Sequence, residues 1–252
     1  TRKHKTLKSI SKVLRSFDIP VSYEKRENVF DQQHIQELVQ IVRFVDTLFR
    51  KDKSAADEFL PEILSFPFWC LDRSDIWRIS LKADRTDQLW LEVMLEDKND
   101  KVNKIANFLL DLGRFANKAT AEQLLAKIIG TEEFELSKKL GENNANDDYL
   151  LDFISPFKGY YFSDQEYEEN TENYIDFLSS LKVFIGGLRE FKHDKTLNIN
   201  DVVEFVDMHQ QNDIELIDNS PFATSESAVN LLTAHKAKGQ EFNTVFVAKC
   251  QN

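Results

Sequence analysis

The sequence predicts a mainly α-helical protein with a small α/β part contributed by the two ends of the chain. Amphipathic helical stripes begin at about residue 29 and fill the middle of the sequence. Short apolar runs at 21–23, 229–232 and 245–247 have the length of strands instead. Twenty phenylalanines and only seven glycines in 252 residues favour a helix-rich backbone and a core packed with aromatic rings.

The first predicted element is a helix over residues 5–17. Its apolar face is formed by Leu7, Ile10, Leu14 and Phe17. Pro20 stops the helix, because proline cannot continue the hydrogen-bond ladder, and the run 21–23 then predicts a strand. A helix followed by a strand is half of an α/β unit, so we expect the chain to begin within a domain.

The middle of the chain is predicted to be helical, with Asp31, Thr120 and Asn200 as N-caps. Helices are expected at 31–49, 54–64, from Ser74, at 100–117, from Thr120, at 166–191 and from Asn200. Their aromatic stripes, including Trp77, are expected to be core. Residues 137–148 predict an exposed loop, 153–162 an irregular aromatic segment, and 219–227 a turn-rich return to the α/β part.

A dense polar set separates the last two apolar runs. It contains Thr233, His235, Lys236, Lys238 and Glu241. Both flanking runs are apolar enough for strands buried on both faces of a parallel sheet, and ligands bind at the carboxyl edge of such sheets. Hydroxyl, imidazole and ammonium groups bind phosphate, and a carboxylate accepts hydrogen bonds from ribose. An ordinary connection with solvated lysines is the alternative.

Composition limits the classes of protein to which this chain can belong. The net charge of −11 opposes a broad nucleic-acid-binding surface, although one wall of a narrow groove remains compatible with it. No apolar run reaches membrane-spanning length, and the first residues lack a signal-peptide core. Cys70 and Cys250 are far apart and predict free thiols in a reducing cytoplasm. The five histidines have no metal-ligand spacing, so no metal site is expected.

The string Thr233-Ala-His-Lys-Ala-Lys-Gly-Gln-Glu-Phe242 resembles motif V of the UvrD/Rep/PcrA family of superfamily 1 DNA helicases. The segments 2–7, 19–21 and 27–28 look like the region after motif IV of that family. Gln240 departs from the pattern, since the family usually has an apolar residue there. The resemblance implies part of a RecA-like (P-loop NTPase-type) motor domain that uses ATP to move along single-stranded DNA in repair or recombination.

The resemblance also implies DNA contacts. Thr233 and His235 would touch the DNA strand, with Lys236 nearby. The basic start of the chain, Arg2 to His4, would lie beside the DNA path. A charged strand end without a DNA role is the alternative for Arg2 and His4.

The nucleotide contacts implied by the resemblance follow in the same string. Glu241 would hydrogen-bond the ribose of ATP, and Gly239 would allow the tight turn beside the ligand. Lys238 would serve either a phosphate or only the fold. No residue of this chain is predicted to be catalytic.

The layout implied by the family is a helical subdomain inserted into a partial RecA-like domain. Residues 1–28 and 227–252 would be two pieces of motor domain 2A, and residues 29–226 the inserted subdomain 2B. Relatives often contact duplex DNA through a G-x-G turn in 2B, which is missing from the sequence here. A surface for a protein partner is therefore the competing prediction for the insert.

Several parts of a complete motor are missing from the sequence. It has no G-x-x-x-x-G-K-[ST] phosphate loop, no recognisable acidic Mg²⁺-binding pair and no arginine-bearing segment after motif V. We therefore expect a fragment that is inactive alone, with ATP and Mg²⁺ bound mainly by other parts. The alternative function is a non-catalytic helical interaction module with a motor-like edge. The sequences that flank this chain in its gene product distinguish the two.

Overall fold

The computed structural model describes residues 4–17, 19–23, 28–131, 153–169, 171–192, 196–217, 228–232, 237–239 and 241–248. The chain divides into two compact units. We call Thr1–Asn28 with Ile217–Asn252 the terminal unit, and Val29–Leu216 the helical unit. The predicted assignment of 1–28 and 227–252 to domain 2A, and of 29–226 to 2B, stays a prediction. None of the described helices has the length and apolar character needed to cross a membrane.

The described residues of the terminal unit form one helix and a two-stranded parallel sheet. Helix α1 (His4–Arg15) packs on strand β1 (Val21–Tyr23), and β1 pairs with strand β2 (Val229–Leu231). In this register Val21 lies opposite Val229. The amide of Val229 donates to the carbonyl of Pro20 at 2.8 Å. The predictions of two short strands in a parallel sheet are confirmed here.

The prediction of a third strand is wrong. Residues 245–248 lie outside any strand, and the side chains of Val245 and Phe246 are 65% and 90% exposed. A buried strand needs neighbouring strands and helices, and the described sheet has two strands only. Val229 is also exposed, so β2 is buried on one face and not on both. Phe17 is exposed too, because α1 ends at Arg15, before that residue.

Where the structure describes it, the helical unit consists of α-helices and two short 3₁₀ turns, Val29–Asp31 and Pro67–Trp69. Its described α-helices, in chain order, are α2 (Gln33–Phe49), α3 (Lys53–Asp57), α4 (Leu60–Leu64), α5 (Arg73–Thr86), α6 (Trp90–Leu95), α7 (Asp100–Phe115), α8 (Ala121–Ile129), α9 (Phe157–Tyr161), α10 (Asp164–Glu169), α11 (Thr171–Phe191) and α12 (Ile199–Gln211).

Helix α2 lies at the centre of this unit. It contacts α3, α4, α7, α8, α11 and α12. Ile35, Leu38, Val42 and Val45 repeat at three- and four-residue spacing and are all buried, as their pattern predicts. Because neighbours surround α2, residues beyond this stripe, such as Phe44, are buried as well. Burial of one such large apolar side chain stabilises the fold by about 1.5–3 kcal/mol.

Aromatic rings fill the space between the 67–69 turn and α9. The ring of Phe68 lies 4.6 Å from that of Trp69 and 5.3 Å from that of Phe157, measured between centroids. All three side chains are fully buried. The prediction that most aromatic residues form core is confirmed at these positions. The 153–162 segment is not wholly irregular, however, since it contains α9.

Two of the predicted N-caps are wrong and one is confirmed. Thr120 caps α8 and forms a capping box with Gln123. Helix α12 is capped by Asn198 instead of Asn200, because Asn198 and Asp201 form the reciprocal pair of a capping box. Asp31 belongs to a 3₁₀ turn, so α2 begins after Gln32.

Some predicted helix lengths also differ. Residues 54–64 form two short helices, α3 and α4, and residues 166–191 are divided between α10 and α11. Helix α6 was not predicted. Trp77 and Leu178 are exposed although their stripes predicted burial. Trp77 is two residues from the buried Ile79, and two residues turn an α-helix by about 200°, which places it on the opposite face. The predicted loop 137–148 and turn-rich segment 219–227 lie outside the described residues.

A buried polar network joins α2 to α9 and α11. The hydroxyl of Tyr161 donates to Oε2 of Glu37 at 2.6 Å, and Gln33 Nε2 donates to Oε1 of Glu37 at 2.8 Å. His34 Nε2 lies 2.6 Å from Oγ of Ser180. Burial raises the pKa of Glu37, and the two hydrogen bonds oppose that rise. Burial and the Glu37 carboxylate raise the pKa of Tyr161 far above its usual range.

Adjacent glycines in α11 predict different responses to alanine. A Cβ added at Gly186 meets nothing within 4 Å, so Gly186→Ala should raise the free energy of unfolding by roughly 0.5–1 kcal/mol through helix propensity. A Cβ at Gly187 would lie 3.1 Å from Cδ1 of Leu216 and 3.2 Å from Cζ of the buried Phe205, so Gly187→Ala should stabilise the protein less than Gly186→Ala does. Urea unfolding followed by circular dichroism measures both. Equal effects of the two substitutions would contradict this packing argument.

Candidate functional site

The candidate site follows β2 in the terminal unit. Strand β2 ends at Leu231, which is buried, and the polar set begins two residues later. The pairing with β1 is parallel, so the loop after β2 leaves the sheet at the carboxyl edge of both strands. In α/β proteins this edge is the usual place for ligands.

Residues 237–239 form a turn further along the chain. Gly239 has φ +83°, in the left-handed region that glycine adopts without strain. A Cβ added there would meet nothing within 4 Å. Glycine is therefore required by the backbone conformation of the turn and not by close packing around it.

Lys238 and Glu241 flank Gly239, and both side chains are exposed. Neither makes a hydrogen bond or ion pair with another described residue. An ammonium and a carboxylate in this state are open to a ligand that carries phosphate and hydroxyl groups. The three residues predicted to bind nucleotide lie on one short stretch of the sequence. Their roles stay predictions.

The predicted DNA contacts are only partly covered by the structure. Arg2, Thr233, His235 and Lys236 lie outside the described residues. His4 is the first residue of α1, and only its backbone is described. Their assignment to DNA stays a prediction.

Metal chemistry has no candidate in the described ranges. No group of three or more His, Cys, Asp or Glu side chains there could hold a metal ion. Mg²⁺ bound together with ATP is normally held by one or two carboxylates and the phosphates. Glu241 carries the one carboxylate of the polar set, and it lies within the described residues.

The match to known proteins extends over the complete chain. A family model described as the UvrD-like helicase C-terminal domain matches residues 1–252. The chain therefore belongs to this family, and the resemblance to UvrD/PcrA-like superfamily 1 helicases is confirmed.

Two individual relatives with similar sequences are named as helicase and nuclease subunits. The chain is 24% identical over 245 residues to an ATP-dependent helicase/nuclease subunit from Streptococcus pyogenes serotype M49 (strain NZ131). It is 25% identical over 248 residues to the exonuclease/helicase subunit RexA of Lactococcus lactis subsp. cremoris (strain MG1363). Each match covers 96% of this chain, and the chain spans 18% of the length of each relative.

One exposed surface, on α5, was not predicted from the sequence. Trp77 was predicted to be core and is 68% exposed on α5. Arg73 and Arg85 lie four residues before and eight residues after it, a repeat that is visible in the sequence alone.

Proposed function

We propose that this chain is part of an ATP-dependent DNA helicase that moves along single-stranded DNA in repair or recombination. The observation that carries the proposal is the motif V string itself, which follows a parallel strand and turns at a glycine with φ +83°. Membership of the UvrD-like helicase family and the names of the two relatives support it. The complete protein would act in the cytoplasm.

The two compact units fit the layout of a subdomain inserted into a host domain. In this proposal the terminal unit belongs to motor domain 2A and the helical unit is the inserted subdomain 2B. The amide of Val29 donates to the carbonyl of Leu216 at 2.8 Å, so the helical unit begins and ends at the same place. In the terminal unit Asn28 and Ile217 form an antiparallel bridge. A domain inserted into a loop of its host has its two ends side by side in this way.

The exposed apolar run 245–247 fits a larger motor domain. Val245, Phe246 and Val247 would be buried if further strands of the RecA-like sheet packed against them. The relatives are several times longer than this chain, which leaves room for the phosphate loop, the Mg²⁺-binding residues and the arginine segment. ATP and Mg²⁺ would be held mainly by those parts, and this chain would contribute Lys238, Gly239 and Glu241.

DNA-stimulated ATP hydrolysis tests the proposal. The complete gene product that contains this chain should hydrolyse ATP faster when single-stranded DNA is added. The 252-residue chain alone should show no hydrolysis, because its sequence has no phosphate loop. Absence of hydrolysis in the complete protein would contradict the proposal. Hydrolysis by the short chain would contradict the assignment of the phosphate loop to other parts.

Glu241→Ala in the complete protein should raise the KM for ATP by roughly tenfold, because a carboxylate hydrogen bond to ribose is worth about 1.5 kcal/mol. Steady-state hydrolysis at saturating DNA measures it. Glu190→Ala removes another exposed carboxylate, on α11, and serves as the matched control. Equal KM values for Glu241→Ala and the control would remove Glu241 from the ribose site.

A non-catalytic interaction module is the second candidate. The acidic charge of the chain favours it, as does the size of the helical unit relative to the terminal unit. The two relatives are named as subunits, so each works with another protein. A complete gene product that binds a protein partner and shows no DNA-stimulated ATP hydrolysis would establish this second function.

A further inference from the structure

One face of α5 points outward and combines positive charge with apolar side chains. Arg73, Trp77, Leu81 and Arg85 repeat every four residues, so they follow one ridge of side chains along the helix. All four are exposed, with Trp77 at 68% and Leu81 at 46%. Ile79, on the opposite face, is fully buried and holds the helix against the core. We call these four residues the α5 stripe.

The two arginines of the stripe differ from the third arginine of the same helix. Arg78 forms ion pairs with Asp75, at 2.7 Å, and with Asp97, whose side chain is only 2% exposed. Arg78 is therefore engaged in holding α5 to the chain that follows α6. The side chains of Arg73 and Arg85 make no hydrogen bond or ion pair with any described residue. Their guanidinium groups are open to an external anion.

The geometry points to a single nucleic-acid strand as the ligand of the α5 stripe, and we infer that the stripe binds it. Arg85 lies twelve positions after Arg73, which corresponds to about 18 Å along the helix. A strand with the ~3.4 Å spacing of stacked nucleotides places roughly five nucleotides over this distance. The arginines would bind phosphates at the two ends, and the exposed indole of Trp77 would stack on a base between them.

A duplex fits the stripe less well than a single strand. Bases inside a duplex are stacked on both sides, so the indole of Trp77 would find no free base face. A protein partner also fits less well. The centre of a stable protein interface is a wide apolar patch ringed by residues that exclude water, whereas here only Trp77 and Leu81 stand between charged groups.

The surroundings predict binding that is sensitive to salt. The chain carries a net charge of −11, and the carboxylate of Asp84 is exposed next to Arg85. These negative charges repel the strand, so affinity depends on the local contacts with the two arginines. Asp84→Asn should therefore strengthen binding, because it removes repulsion without changing the stripe.

This site goes beyond the proposed motor function, because it lies on the helical unit and uses no residue of the 228–248 segment.

The test of the α5 stripe uses the 252-residue chain and tryptophan fluorescence. Of the three tryptophans, Trp69 is buried and Trp90 is half-buried, so Trp77 is the indole best placed for an added strand. An oligo(dT) strand of about 16 nucleotides should quench the fluorescence, and Trp77→Phe should abolish the quenching.

The affinity variants separate stacking from charge. Trp77→Ala should weaken binding of oligo(dT) roughly tenfold. The double variant Arg73→Gln with Arg85→Gln should lower the slope of log affinity against log salt by about 1.4, since each phosphate contact to a single strand contributes about 0.7. Lys118→Gln with Lys158→Gln removes two exposed charges elsewhere on the helical unit and should leave both affinity and slope nearly unchanged.

Three results would overturn the inference. The first is quenching that persists in Trp77→Phe, which would place the strand elsewhere. The second is an equal effect of the two lysines and the two arginines, which would reduce binding to net charge. The third is the absence of oligo(dT) binding, which would leave a protein as the ligand of this face. ATP hydrolysis by the complete protein is a separate measurement, so either proposal can fail without the other.

Discussion

Gly130→Ala should lower the free energy of unfolding by roughly 3 kcal/mol or more. Gly130 ends α8 with φ +79°, where an alanine costs about 1–2 kcal/mol. A Cβ added there would also lie 2.3 Å from the backbone carbonyl oxygen of Ser155. Backbone cannot rotate away as a side chain can, so this overlap should cost a further 1–3 kcal/mol or so. Urea unfolding followed by helical circular dichroism measures the loss.

Two further glycine variants make the Gly130 experiment specific. Gly159→Ala is the matched control, because a Cβ at Gly159 meets nothing within 4 Å and its φ is not positive. Gly130→Asn tolerates the left-handed conformation better than alanine but keeps the overlap with Ser155. It should therefore recover only part of the loss. A cost for Gly130→Ala as small as that for Gly159→Ala would show that the end of α8 is free to shift.

Tyr161→Phe should lower the free energy of unfolding by about 2 kcal/mol at neutral pH, because it removes one of the two hydrogen-bond donors of the buried Glu37 carboxylate, the hydroxyl at 2.6 Å. Tyr160→Phe makes the same chemical change at an exposed neighbour and should cost almost nothing. Replacing both partners, Tyr161→Phe with Glu37→Leu, should cost less than Tyr161→Phe alone, since no charge is then left without its donor. Equal losses from Tyr161→Phe and Tyr160→Phe would contradict this interpretation.

The same pair predicts a dependence on pH. Burial raises the pKa of Glu37 above its unfolded value, so the stability from this group is fully present below the unfolded pKa and is lost as pH rises through the folded pKa. Tyr161→Phe removes a hydrogen bond that lowers this pKa, so the folded pKa should rise further. The cost of Tyr161→Phe should therefore be larger at pH ~8 than at pH ~5. A cost independent of pH would assign it to packing instead.

Local pattern explains which parts of this protein could be predicted. The stripe from Ile35 to Val45 and the Thr120 cap depend on residues a few positions apart, and both were found from the sequence. The string from Thr233 to Phe242 likewise carries its own family signature, and the match of residues 1–252 to UvrD-like helicases confirmed that resemblance. Asn198 was missed because two asparagines compete within one segment, and Asp201 decides between them.

The sequence by itself therefore determined the mainly helical class, the positions of the two short strands and the family, because each depends on local pattern along the chain. Only the tertiary structure decided the environment of single side chains. Glu37 and Tyr161 are 124 residues apart and meet in the core, Trp77 faces outward, and the side chain of Phe246 is 90% exposed. These outcomes depend on which distant segments pack together, and local pattern holds no information about such contacts.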